Sequence, residues 1–172
     1  MRLLLNMSIK KYAGIGARKT PEHIIIQMIV LADTLAQRGW VLRSGGALGA
    51  DTAFEIGCDY HEGAKEIFLP FPNHNGSQVP FIPISPSAYQ LVDEMYSDAK
   101  NRSHYVRTLW ARNAHIILGA NLDDPVDVVI CWTPGSNVVG GTGRAIKIAH
   151  KYQIPVVYIN DNMDNDRLLN LL

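Results

Sequence analysis

Three apolar segments of this chain break into glycines and run directly into helical sequence, and nothing else in it restricts the fold as tightly. The first break is Gly14-Ile15-Gly16-Ala17-Arg18. The second is Ser44-Gly45-Gly46-Ala47-Leu48-Gly49-Ala50-Asp51, and the third is Gly140-Gly141-Thr142-Gly143. A strand that passes through glycines into a helix lets the backbone approach an anion closely, and the free N–H groups of the helix start point at it. Three such junctions in 172 residues point to a nucleotide-type ligand.

The rest of the pattern agrees. Apolar runs at 9–15, 39–44, 65–70, 126–132 and 154–159 read as strands; helical patterns fall at 21–38, 48–61, 87–99, 103–118, 141–152 and 163–172. Thr20 is expected to cap the first helix, with Pro21 in its first position. Ile24 to Leu35 is apolar on most faces and reads as a deeply packed helix. Strands alternating with helices predict an α/β fold, a three-layer parallel sheet with helices on both faces. Ligands then sit beyond the C-terminal strand ends, near the topological switch. Pro70, Pro72, Pro80, Pro83 and Pro86, with Asn73, Asn75 and Gly76, break regular structure over 70–86. That stretch is expected to be an irregular excursion over the ligand face, packed down by Phe71 and Phe81. The length predicts one domain, 1–172.

Composition narrows the function. The chain is 47% hydrophobic and 19% charged, with 16 basic residues against 16 acidic ones. Zero net charge lacks the basic signature of a nucleic-acid binder, so nucleic acid is not the favoured partner. Cys58 and Cys131 lie in apolar segments and read as buried free thiols. The six histidines show no ligand-type spacing, so no metal is expected. Met1 to Leu5 is too short an apolar run for a leader, and Met7 is an alternative start. No stretch spans a membrane, and a cytoplasmic protein is predicted.

The site candidates follow from the three breaks. Gly14 and Gly16 with Arg18 read as a backbone cradle and its cation, or as a plain turn with an exposed arginine. Ser44, Gly45, Gly46 and Gly49 read as a second cradle; it is not a Walker loop, because no Gly-Lys-Ser/Thr follows. Asp51, in the first turn of the next helix, is placed to take a ribose hydroxyl or to cap N–H groups. Glu55 lies four residues on and shares its helical face. In a hydrolase, one of this pair would be the general acid or the nucleophile. Arg112-Asn113 enters the apolar run Ala114-His115-Ile116-Ile117-Leu118, which suggests a buried polar task. His115 reads as a core hydrogen-bonding group. Gly140, Gly141 and Thr142 follow the clearest strand and would turn N–H groups toward an anion.

These motifs resemble the Rossmann-like superfamily that unites the DNA-processing protein A core, the Lonely Guy cytokinin-activating phosphoribohydrolases and their sensor relatives. The resemblance rests on Gly14-x-Gly16-x-Arg18, on Ser44-Gly45-Gly46-Ala47-x-Gly49-Ala50-Asp51-x-Ala53, on Arg112-Asn113 and on Gly140-Gly141-Thr142-Gly143, covering roughly residues 11–159. The second motif is similar to the signature of the DNA-processing branch, and the chain looks most like that branch's small stand-alone members, of the kind bacteriophages carry. The hydrolases of the superfamily have a catalytic glutamate after the late glycines; Lys147 stands there instead. The resemblance therefore implies a binder of a nucleotide or nucleotide-derived signal, acting as sensor or sequestering protein, with no other cofactor. Its alternatives are a nucleotide N-glycosidic hydrolase and a single-stranded DNA binder. The apolar helix at Ile24 to Leu35 and the tail Leu168 to Leu172 predict a homodimer or higher even oligomer.

Overall fold

The computed structural model describes residues 8–135, 140–162 and 164–172. The apolar N-terminal run, the middle of the loop before Gly140, and Met163 lie outside the described residues. The strands are β1 (Lys11–Gly16), β2 (Val41–Ser44), β3 (Lys65–Ile67), β4 (Val128–Trp132) and β5 (Val156–Tyr158). They form one five-stranded sheet in the order β3-β2-β1-β4-β5, and every pairing is parallel. Strand order reverses between β1 and β4, where the loops leaving the two strands diverge and open a crevice.

The helices are α1 (Glu22–Gln37), α2 (Ala50–Asp59), α3 (Pro86–Met95), α4 (His104–Leu118), α5 (Gly140–Lys151) and α6 (Asn165–Asn170). One core, with Phe54, Leu31 and Met28, fills the space between the sheet and α1, α2 and α6. The other, with Ile116, Ile117 and Ile148, lies under α3, α4 and α5. The predicted three layers are therefore present. Local chemistry sets the helix starts: Ser85 accepts from Ala88 N, Ser103 from Val106 N and Asp164 from Arg167 N. Gly119, at φ 82°, ends α4.

Several boundaries differ from the sequence reading. Thr20 does not cap α1; its hydroxyl donates to Ala17 O at 2.6 Å and closes the turn after β1. Pro21 flanks the helix, which starts at Glu22. The second helix starts at Ala50 rather than 48, because Gly49 at φ 84° holds the chain out of helical geometry. α3 stops at Met95: Tyr96 turns extended, and its hydroxyl donates to Arg144 O. α1 is not buried all round. Ile24, Met28, Leu31 and Leu35 are fully covered, whereas Ile26 is 56% and Val30 49% exposed. The helix is therefore packed on one face and carries apolar Ile26 and Val30 on its outer face. Gly57 of α2 packs directly on the Ile29 carbonyl, so the two helices cross at backbone contact.

The 70–86 excursion contains one 3-10 turn, His74–Gly76, and is tied down at three places. Phe71 stacks on Tyr105 at 5.4 Å, Asn75 donates to Gly46 O at 3.0 Å, and Ser85 N donates to His115 Nε2 at 3.1 Å. His115 donates its other ring nitrogen to Gly119 O and stacks on Phe68, so it is the core hydrogen-bonding group expected. Burial holds its pKa below the usual value. Neutral His115 therefore contributes stability that is present above the unfolded pKa of about 6.5 and is lost as pH falls through the lower folded value. A His115→Gln variant is expected to melt lower than wild type at pH 7.5 and to lose less on going to pH 5, as read by thermal melts at both pH values. Both cysteines are buried and free.

Arg43 departs most from an apolar strand reading. It sits in β2 at 1% exposure, paired with Glu66 and with Asp124 at 2.6 Å. It fastens the loop after α4 to the sheet.

Candidate functional site

The crevice between β1 and β4 is a cleft of about 530 Å³, within the range of small-molecule sites. Its floor is Gly16 and Ala17. One wall is the apolar side of α4, with Val106, Leu109, Trp110 and Ile116. The other side is polar, with Arg18, Lys19, Asp51, Arg112, Asn113, Gly141 and Thr142. Parts of all three glycine breaks therefore meet at one sheet edge: Gly16 and Arg18, Ala47 and Asp51, and Gly140 to Thr142.

The arginine and asparagine on α4 organise the site. Arg112 is 7% exposed, and its Nη1 donates to Gly45 O and, at 3.3 Å, to Phe68 O. Asn113 accepts from Arg112 Nε at 3.3 Å and donates to Gly141 O at 3.0 Å, joining α4 to the first turn of α5. Among the described residues, Nη2 of Arg112 donates to no protein acceptor. Arg18 is exposed and pairs with no carboxylate among the described residues. The first N–H groups of α5 have no acceptor within the helix, and its dipole favours an anion there. Arg144 sits behind the apolar wall, 3.5 Å over Trp110 and 4.3 Å over Tyr96, and fixes the indole.

The second glycine break does a different job from the one expected of it. The N–H groups of Gly45 and Ala47 are donated to Asp51 Oδ2 at 3.1 and 3.2 Å, so they are spent within the protein. Ser44 donates its hydroxyl to Gly14 O and is fully buried. Gly45 is a glycine because a Cβ would collide with the Arg112 guanidinium. Gly46 has φ +65°, and its Cβ would lie 2.5 Å from Leu69 Cδ2; Gly49 packs on the Arg18 carbonyl. Gly14 is packed in the sheet against Phe54 and Leu42. Ser44, Gly45, Gly46, Gly49 and Gly14 thus shape the site from behind and do not line it. A Gly46→Val variant is accordingly expected to lower the melting temperature markedly, because a β-branched residue is strained at positive φ. Loss of ligand affinity in a variant that melts like wild type would contradict this.

Asp51 does line the cleft. Burial pushes its pKa up, against the pull of the Arg112 charge and the two amides, to about 6. Glu55 does not line it: its carboxylate pairs with Lys65 at 3.4 Å, and Lys65 also holds Asp59. The expected carboxylate pair is therefore split. Lys147 is exposed on α5 and also lies away from the cleft.

Three neighbours of the site were not anticipated from the sequence. Lys19 adds a second cation at the rim. Tyr105 and His74 both lie within electrostatic range of Arg112. The His74 Nε2 is buried without a partner among the described residues, and burial together with Arg112 and Arg18 keeps the ring neutral. Elsewhere, in the hollow between α3 and α4, Arg107 holds Asp93 at 2.6 and 2.9 Å.

No protein-family model matches the chain, and no curated protein matches it. Solved structures do. The molybdenum cofactor binding protein of Rippkaea orientalis is similar at TM-score 0.62 and 22% identity, over 96% of this chain and 85% of that one. DNA processing protein A of Helicobacter pylori, which binds single-stranded DNA, is similar at TM-score 0.56 and 23% identity, over 94% and 72%. The molybdenum cofactor carrier protein of Chlamydomonas reinhardtii follows at 0.53 and 18%, over 87% and 75%. The chain shares the Rossmann-like fold common to these proteins.

Proposed function

We propose that this protein binds a small phosphate-bearing ligand of the nucleotide type in the cleft between β1 and β4. One observation carries the reading. The Arg112 guanidinium, buried and anchored through Nη1, has an Nη2 without an acceptor among the described residues and lines a cleft that also meets Arg18, Lys19 and the glycine-rich start of α5. Charge-assisted contacts of this kind are the strong ones for phosphate. The apolar α4 wall suits the sugar of such a ligand. That other proteins of this fold bind a small cofactor or single-stranded DNA supports a ligand site here.

DNA carries the same phosphate chemistry, but a chain of zero net charge offers little for a long polyanion. Binding measured against AMP and a single-stranded oligonucleotide separates the two. A small ligand touching two or three cations gives a shallow salt dependence, whereas a bound strand gives a steep one. A strand that outcompetes AMP at 0.2 M salt would replace the reading.

Hydrolysis is not the expected outcome, because Asp51 stands in the cleft without Glu55. Incubation with AMP, GMP, CMP, UMP and NAD is expected to release no free base on chromatography. Turnover that vanishes in Asp51→Asn would make the protein an N-glycosidase.

Association of two copies belongs to the same proposal. Ile26 and Val30 on α1, with Ile56 on α2 and Tyr60 just past its end, leave apolar side chains outward on one helix layer. Light scattering at micromolar concentration is expected to give an even multiple of the 19.1 kDa chain mass, and a monomer would count against it.

A further inference from the structure

A second cavity lies on the same sheet edge, next to the cleft above. It measures about 570 Å³ and is lined by Trp132, Thr133, Gly135, Tyr158, Asn160 and Asp161, among others. Thr133 lines both cavities, so they meet at the end of β4.

The sheet geometry determines what flanks this space. Cys131 of β4 is level with Tyr158 of β5. Residues paired in register point to the same face, and their neighbours point to the other. Cys131 packs in the core under α3, α4 and α5, so Tyr158 stands on that face. Trp132 packs against the opposite core. The two aromatics therefore bracket the strand ends from the two faces of the sheet. Tyr158 is 36% exposed. Its phenol is held above its usual pKa by burial and by Cys131, so the ring is neutral.

The lip supplies polar groups. Asn160 uses Oδ1 to accept from Asn162 N, which leaves its amide N–H₂ as a donor. The Asp161 carboxylate is shared with His23 at 2.6 Å and is largely exposed. Gly135, at φ +71°, has no atom of the described residues within 4 Å of where its Cβ would be.

We propose that this second cavity is the ring subsite of the ligand, taking a planar nucleobase-type heterocycle whose phosphate lies in the Arg112 cleft. This rests on the anion reading of that cleft. A ligand running across Thr133 places its charged end against Arg18, Arg112 and the start of α5. Its ring lies across the ends of β4 and β5 beside Trp132 and Tyr158, with its edge atoms facing Asn160 and Asp161. Aromatic faces accept any base by stacking, and the polar lip sets the preference among bases.

The test is calorimetric titration of wild type, Tyr158→Ala and Tyr158→Phe with AMP, GMP and inorganic pyrophosphate. Tyr158→Ala is expected to weaken AMP and GMP at least tenfold and leave pyrophosphate within twofold of wild type, whereas Tyr158→Phe binds all three like wild type. Tyr158→Leu, which fills the edge without a ring, serves in place of the alanine variant if that one does not fold. Nucleotide affinity unchanged without the ring, or lost in parallel with pyrophosphate, overturns the ring subsite while the anion site stands. Wild type that binds neither nucleotide nor pyrophosphate overturns the anion site, and the ring subsite with it.

Discussion

Gly141→Asp is expected to weaken AMP binding at least a hundredfold while the melting temperature stays at or slightly above that of wild type. Gly141 lines the cleft in the first turn of α5, and no atom of the described residues lies within 4 Å of where its Cβ would be. A carboxylate there suits the helix N-terminus by about 0.3–1 kcal/mol. Toward a bound phosphate it is a like charge in place of a dipole. A hundredfold loss corresponds to about 2.7 kcal/mol, well within the roughly 4 kcal/mol of two unit charges 4 Å apart near a protein surface. Fold and affinity thus move in opposite directions, and calorimetry with a thermal melt reads both. Unchanged affinity would remove α5 from the site.

Arg112→Met is expected to cost about 3–5 kcal/mol of folding stability, the range for breaking one side of a buried charged arrangement. The Gly45 and Phe68 carbonyls lose their donor, and Asp51 loses the cation that restrains its pKa. The pH dependence has a definite sign. Asp51 has a folded pKa raised to about 6, so its effect on stability is most favourable below the unfolded pKa near 3.9 and is lost as pH rises through 6. Without Arg112 that loss grows, and the deficit against wild type widens from pH 5 to pH 8. Arg18→Met, at an exposed cation, is the counterpart: stability stays within about 0.5 kcal/mol and AMP affinity falls. Urea unfolding at the two pH values measures both variants, and an Arg112→Met protein as stable as wild type would show that the guanidinium does not hold the glycine loop.

The sequence was most readable where backbone geometry alone decides. Glycines at strand ends and the proline cluster marked the elements and the sheet edge that carries the cleft, whereas the one cap read from the sequence, Thr20, closes a turn instead. It was less readable where side chains from distant segments compete for one group. Ser44 to Gly49 has the composition of a phosphate cradle, but its amides turn to Asp51 and its carbonyl to Arg112, a residue 67 positions away from Gly45. Helical spacing put Asp51 and Glu55 on one face, yet Lys65 of β3 draws Glu55 aside. His74 gave no signal because only the folded excursion brings it beside Arg18 and Arg112. Trp132 and Tyr158 each read only as part of a strand, and the register of β4 against β5 shows that they flank one cavity.

The most direct measurement compares AMP with adenosine by calorimetry on the wild-type protein at 0.1 M salt. The two share a base and a ribose and differ only in the phosphate. A site organised around Arg112, Arg18 and the start of α5 predicts that AMP binds at least tenfold more tightly than adenosine, and that inorganic pyrophosphate competes with it. Equal affinity for the two, or no competition by pyrophosphate, would contradict it.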